Sequence, residues 1–559
     1  MGRLKQLKIF AVIVFCALCF ASMEAQVSLA TDFTSNDFKG EPLHNVWSVG
    51  NRISPTKGSN LRADLKINLV RMIGGIQQRE NGELVKNLDF DPCLYDSITN
   101  TYVYRWKPFI NRLNKIVESQ SDILQIVLDQ PPWAFQHGYT FIPEGECDSI
   151  HFREDDRMTI YGNALPPADK QAYHDFIKAL MTKLIETYGE ETVLTWRFRV
   201  GSEIETHDHW RGTKQEFIEH FANTEKAVRA ILPNAKVGLH TRIPGFLYKK
   251  GKVLNYKGQP YASFVDDLIE YCYDNNVKYD FWGISDYVII SNNSHRQMNQ
   301  KFDELFGDLV KHPKWNSNAT LDLMEYSTIT SMNALGNGFV NCATSHKEIV
   351  ELAFTNQFYK NKSKGAEYIY RWGNRLGSED PVGISVLNTM EGMTHYNYET
   401  LGQPIIANNQ IEAIFGKCDS TQAYDILVYN FNAHSLEYKE EEKLNIAITS
   451  DLPVGTILYC RNMAYGKEQN KLQNFLKNEP ESGWIIKGYD RMGNPEKTLN
   501  KLGMEAYEKY KNPNPQQFTA WEKVETTERS DGKKGSVINI STSLPSFSFK
   551  KYEFRLQAF

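Results

Sequence analysis

Past its first 25 residues the chain has no apolar run long enough to cross a membrane. It has no excess of basic charge either. A formal net charge of −5 excludes a general polyanion-binding surface, and no nucleic-acid motif is present. The Ser-His-Asp order of a hydrolase triad and the glycine-rich loop that cradles phosphates are both missing, which removes two large classes of chemistry. Cysteine is scarce, at eight residues in 559, and none lies in a close Cys/His cluster of the zinc type. No metal or cofactor is called for. Internal repeats and low-complexity tracts are absent as well.

What is present begins with Arg3, Lys5 and Lys8 ahead of the apolar run from Ile9 to Ala21, with small residues near Ala21 and Ala25. This is the pattern of a signal peptide over residues 1–25, and it predicts a secreted or periplasmic protein without a lipid anchor. Export would permit disulfides among Cys93, Cys147, Cys272, Cys342, Cys418 and Cys460; buried free thiols are the equal alternative. At 559 residues the chain exceeds one ordinary core, so two or three domains are expected.

From residue 45 to about 415, strand-like and helix-like segments alternate. Eight strands are expected in series, at Asn45–Val49, Asn68–Ile73, Leu124–Leu128, Thr195–Val200, Lys236–Leu239, Phe281–Ile284, Leu321–Met324 and Tyr368–Trp372. Helices are expected over Ala168–Tyr188, stopped by Gly189, and over Lys214–Leu232, stopped by Pro233. Eight such units make a closed (β/α)8 TIM barrel, an α/β fold. After about residue 416 the pattern turns to strands alone, at Ile426–Tyr429, Lys443–Thr449, Thr456–Arg461 and Ser546–Leu556, and predicts a β-sandwich over residues 416–559.

Two of the expected barrel strands run out on a glutamate. Trp196, Phe198 and Val200 alternate with Arg197 and Arg199, and Glu203 follows where strand gives way to loop. Leu321 to Met324 alternates in the same way and ends on Glu325. Active sites of such barrels sit at the C-terminal strand ends. Two carboxylates there are what cleavage of a glycosidic bond needs, one to protonate the leaving oxygen and one to act as nucleophile or base.

At these residues the sequence resembles glycoside hydrolase family 39, the family of β-xylosidases and α-L-iduronidases. Gly201-Ser202-Glu203-Ile204 stands where that family has Trp-Asn-Glu-Pro, and Leu323-Met324-Glu325-Tyr326 where it has Ile/Thr-Glu-Trp/Tyr. The resemblance implies a retaining hydrolase with Glu203 as acid/base and Glu325 as nucleophile. It also implies that residues 26–44 contribute a strand to the β-sandwich. The departures are as informative. Ser202 replaces an Asn that contacts the sugar, Ile73-Gly74 replaces a His-Gly although Arg71 remains, and Ser285-Asp286-Tyr287 replaces a His-x-Tyr.

The residues expected to bind substrate are therefore Arg71, Trp133, Ser202, His240, Arg242, Asp286, Tyr287, Tyr326 and Trp372. Tryptophans and tyrosines at strand ends suit the apolar faces of pyranose rings, although Trp133 and Trp372 fit a core role equally. Arg199, His240 and Arg242, with His207 and His209 nearby, favour an anionic glycan bearing uronate or sulfate, since guanidinium forks match those oxygens. A neutral-sugar, xylosidase-like enzyme and a non-catalytic glycan-binding relative are the alternatives. The expected partner in every case is a carbohydrate, with no nucleic acid and no membrane span.

Overall fold

The computed structural model describes residues 27–44, 46, 48–52, 66–69, 73–81, 83–118, 123–138, 164–205, 209–241, 264–290, 309–330, 345–362, 365–371, 382–401, 410–431, 441–478, 483–489, 495–507, 509–510 and 517–558. The leader expected over residues 1–25 lies outside them, as do Cys147 and Cys342. Cys93, Cys272, Cys418 and Cys460 are free thiols, the first two buried.

Eight parallel strands close into a barrel: β1 Ser48–Arg52, β2 Lys66–Leu69, β3 Ile123–Val127, β4 Arg197–Val200, β5 Lys236–Thr241, β6 Phe281–Ile290, β7 Thr320–Thr330 and β8 Ala366–Arg371. Each overlaps or adjoins one of the segments expected from sequence. Every residue of β4 is buried. The reason is that helices cover the outer face, which takes Phe198 and Val200, while the barrel interior takes Arg197 and Arg199.

Helix α1 spans Lys107–Val117 and helix α2 spans Lys170–Tyr188. The buried residues of α2, Tyr173, Phe176, Ile177, Leu180, Met181 and Leu184, recur at three and four and so form one apolar stripe. Asp169 caps its start by accepting from the Ala172 amide at 2.9 Å, and Gly189, at φ 82°, ends it. Helix α3, Lys214–Ile231, opens with a capping box in which Thr213 and Glu216 satisfy each other's backbone amides. Helix α4 is Val265–Asp274 and α5 is Ser345–Lys360.

Two further sheets are built mostly from strands that follow the barrel in sequence, each with one strand from ahead of it. One has five strands in the order Glu399–Leu401, Val27–Asp32, Glu442–Ser450, Ser536–Leu544 and Thr527–Glu528. The other has seven and is centred on Gln410–Cys418, Ala423–Phe431, Ser548–Arg555 and Ile457–Tyr465. Leu29, Leu444, Ile446, Ile448 and Ile538 from the first sheet share a core with Phe415, Ile426, Val428 and Phe554 from the second.

The strand Ala423–Phe431 is buried along its whole length because its two faces serve two cores. Tyr424, Ile426 and Val428 point to the core between the sheets, while Leu427, Tyr429 and Phe431 join the core that surrounds the barrel. Tyr429 donates to Glu412 at 2.5 Å and accepts from Asn356 of α5 at 2.9 Å. Barrel and sheets are thus joined through buried polar contacts as well as apolar ones.

Candidate active site

The barrel interior is layered. Toward the N-terminal ends of the strands, Arg197 of β4 reaches Asp322 of β7 at 2.7 Å, and both are buried. The guanidinium also lies over the rings of Phe281, at 3.7 Å, and Tyr368, at 4.7 Å. Burial pushes the Asp322 carboxyl up against the pull of Arg197. Above this pair, Met324 fills the axis, with Gln125 donating to its sulfur at 3.3 Å. Gly283 is obligatory here, because a Cβ would overlap the Met324 side chain.

Toward the C-terminal ends the chemistry changes. Arg199 is fully buried; burial draws its guanidinium below the usual range, and the carboxylates of Asp129, Glu325 and Glu203 act in the opposite sense. Carboxylates that follow β3 and β4 and one from β7 are thus near enough to act on one cation. Arg199 Nη2 donates to Ser202 Oγ at 3.2 Å, Ser202 Oγ meets His240 Nδ1 at 3.5 Å, and His240 Nε2 meets Ser285 Oγ at 2.8 Å. Burial, with Arg199 and His209 alongside, holds the His240 imidazole well below its ordinary pKa, so the ring is neutral.

The loop that carries Glu203 departs sharply from strand geometry. Gly201 has φ 78°, and a Cβ there would overlap Ile204 and crowd Phe217. Glu203 itself sits in the left-handed region at φ 44°, a conformation that a long side chain adopts only when its surroundings impose it. His209 Nδ1 lies 2.6 Å from the Ser202 carbonyl, and the Ile204 amide reaches back to the His240 carbonyl at 3.5 Å. The loop is pinned from both sides.

Glu325 reaches the interior by a different device. Strict alternation would place it with Leu321 and Leu323, on the face that meets the helices. The pairing of β7 with β6 slips between Ile284 and Ser285, and that with β8 slips between Leu323 and Tyr326. This bulge sets Glu325 in register with Ser285, which faces His240 inside the barrel. It also turns Tyr326 outward. Tyr326 packs its ring 5.2 Å from Phe354 of α5, and burial, with Glu351 nearby, pushes its hydroxyl well above its ordinary pKa. The sequence-based expectation that Tyr326 lines the site is corrected accordingly.

Of the other expected contacts, Ser202 and His240 are brought together with Glu203, Glu325 and Arg199. Asp286 is buried in register with Tyr326. Trp133 is buried; its indole donates to the Ile76 carbonyl at 2.9 Å, its amide donates to Asp91, and Lys86 covers its ring. That is a core setting. Arg71, His207, Arg242, Trp372 and the side chain of Tyr287 lie outside the described residues.

Two members of the site were not singled out from sequence, Asp129 and Ser285. Asp129 follows β3 and is a strand-end carboxylate just as Glu203 is, so the same rule would have found it. A narrow cleft beside the Glu203 loop is lined by Asp129, Gln130, Ile204, His209 and Trp210. Among the described residues no group of three or more His, Cys, Asp or Glu side chains is arranged to hold a metal ion.

The sequence pattern of the glycosyl hydrolases of family 39 matches residues 155–314, which include β4, β5 and β6. An α-1,4-L-rhamnosidase of Formosa agariphila is 29% identical over 549 residues, covering 97% of this chain and 96% of that protein. A β-xylosidase of Geobacillus stearothermophilus is 28% identical over 153 residues, 27% of this chain and 26% of that one. Among solved structures, a family 39 enzyme from Xanthomonas axonopodis pv. citri superposes with a TM-score of 0.59 at 13% identity, over 96% of this chain and 98% of that one. Taken with the barrel, these likenesses make the chain a glycosidase, similar to the glycosyl hydrolases of family 39.

Proposed function

We propose that the chain is a retaining glycosidase in which Glu203 is the acid/base and Glu325 the nucleophile. One observation carries the assignment: Glu203 follows β4 at its C-terminal end, and a slip in the pairing of β6 with β7 sets Glu325 beside Ser285 on the interior face of the barrel. Retention needs the two carboxyl groups about 5 Å apart on either side of the scissile bond. Glu325 attacks the anomeric carbon while Glu203 gives its proton to the departing glycosidic oxygen, leaving a covalent glycosyl ester. Glu203 then takes a proton from water, whose oxygen attacks the same carbon and releases Glu325.

The sugar we assign to the cleaved bond is an α-1,4-linked L-rhamnosyl unit, on the strength of the rhamnosidase matched along nearly the whole chain. A uronate-bearing or sulfated glycan is the accompanying reading. It rests chiefly on the chemistry of Arg242, since carboxylates offset Arg199 and His240 is neutral. We read the two sheets as a β-sandwich that takes strands from residues 394–555 and from residues 27–42, so that it begins ahead of residue 416, the boundary expected from sequence with the barrel over 45–415. The basic and apolar start of the sequence, residues 1–25, supports a secreted or periplasmic enzyme.

The test uses purified protein with aryl α-L-rhamnosides and with neutral and acidic rhamnose-containing oligosaccharides. Glu325→Gln should lose at least about 10³-fold in turnover on every leaving group, whereas Glu203→Gln should spare activated aryl glycosides and regain rate with azide. Proton NMR of the first-formed sugar should show the substrate's anomer. Inversion, or equal losses in both variants on an activated substrate, rejects the assignment. Hydrolysis of xylosides in place of rhamnosides rejects the sugar alone.

A further inference from the structure

His240 is expected from sequence to touch substrate, but its side chain is fully buried and each ring nitrogen already faces a serine hydroxyl. We propose that His240 is a positioning residue: it ties the loop bearing Glu203, through Ser202, to the strand bearing Glu325, through Ser285. This rests on the reading of Glu203 and Glu325 as the reacting pair.

The direction of the chain follows from what each group can donate. A guanidinium only donates, so Ser202 Oγ accepts from Arg199 Nη2 and keeps its own hydrogen for another partner. Nδ1 of His240 is the acceptor it meets. A neutral imidazole with Nδ1 accepting carries its proton on Nε2, which donates to Ser285 Oγ at 2.8 Å. The Ser285 hydrogen is then left to point onward, and Ser285 is in register with Glu325. Donors thus line up in one sense from Arg199 across β4, β5 and β6 toward β7, each polarising the next.

A protonated imidazole would break this order, because Nδ1 would then donate toward an oxygen already engaged by Arg199. Burial beside Arg199 and His209 keeps the ring neutral and the order intact. Ser202 matters for the same reason. Its single hydroxyl accepts on one side and donates on the other, and so it is a link in the chain. Glu203 is held next to that link by a strained backbone, and Glu325 is aimed by a bulge; the bridge fixes the one relative to the other.

Two substitutions separate the halves of the bridge. His240→Asn keeps a polar atom near the Nδ1 position, and His240→Gln keeps one near Nε2. In the full-length enzyme, His240→Asn should lower kcat about 10²-fold even on activated aryl glycosides, because the Glu325 side is loosened. His240→Gln should hold its rate on activated aryl glycosides, fall on substrates that need a proton, and show a shifted basic limb in the pH profile of kcat/KM. Ser285→Ala, a smaller change, should reproduce the Asn pattern and guards against a His240 variant that fails to fold. Folded variants with wild-type rates and pH profiles overturn the bridge. So do equal losses on both substrate types accompanied by a lowered Tm, which would mark a packing role. If Glu325→Gln and Glu203→Gln behave as proposed while the His240 and Ser285 variants do not, the bridge alone falls. Retained turnover in Glu325→Gln rejects the two-glutamate reading first.

Discussion

Strand β4 carries two arginines two residues apart, and the barrel treats them differently. Arg197 has one close carboxylate, Asp322, and aromatic rings over its guanidinium. Arg199 has three carboxylates within its field and a serine that passes a hydrogen bond onward. The lower layer matches charge to charge and seals it. Among the described residues the upper layer sets three carboxylates in the field of one guanidinium, a setting that suits acid/base and nucleophilic chemistry. The same residue type, on the same strand, serves cohesion in one layer and reactivity in the next.

Removing each arginine in turn is the strongest way to break this contrast. Arg197→Gln should cost about 3–5 kcal/mol in chemical denaturation, because Asp322 is left buried without its partner. Arg199→Gln should cost less stability but lower kcat/KM about 10²-fold, and should move the acidic limb of its pH profile upward, since the cation favouring ionised carboxylates is gone. Equal stability losses, with Arg199→Gln still active, would erase the distinction between layers.

A buried carboxylate outside the barrel lumen sharpens it. Asp91 accepts from the backbone amides of Gly75 and Trp133, and burial pushes its carboxyl up to about 7 despite those bonds and Arg112 and Arg105 nearby. The unfolded chain releases this proton near pH 4 and the folded one near pH 7, so between those values the native state binds more protons. Stability from this group is therefore full below about pH 4 and lost as pH rises through about 7, a change on the order of 4 kcal/mol. Asp91→Asn should flatten that part of the curve. The check is the difference between wild type and variant in urea unfolding at pH 5 and at pH 8, which should be larger at pH 5.

The smallest effect is expected at Tyr326. It adjoins Glu325 in sequence but faces α5, where its hydroxyl bonds Thr355. Tyr326→Phe should cost about 1 kcal/mol in stability and leave kcat and KM unchanged. A raised KM would return this residue to the site.

The barrel was legible because its signal is local. Strand-like segments located all eight strands, and alternation with Trp196, Phe198 and Val200 set Arg197 and Arg199 on one face of β4. Helix ends were equally plain, with Gly189 stopping α2 and Pro233 standing just past α3. Glu325 was found for a reason that does not explain its aim: it was read as ending a strand, whereas β7 runs on to Thr330 and a bulge turns Glu325 inward, and a bulge depends on partners in β6 and β8 that no stretch of β7 reveals. Tyr326 was misplaced by the same slip. Trp133 read equally as site or core, and the deciding contacts come from Ile76, Lys86 and Asp91, far away in sequence. Gly201, read only as standing where family 39 has Trp, is required by a positive φ and by Ile204, neither of which composition shows.

The strand Val27–Asp32 has a further consequence, for the order of assembly. It lies between Glu399–Leu401 and, in parallel, Glu442–Ser450, so a ribosome must add 367 residues (399 − 32) past its end to reach the first neighbour. Throughout that interval the barrel strands and helices can find one another, while Val27 and Leu29 wait as an uncovered edge. Long-range pairing of this kind is slow to form. The last step of maturation is then a stitch between the early and late ends of the described chain, made around a barrel already in place, and cutting the chain between residues 32 and 48 would let that stitch come undone without touching a single strand of the barrel.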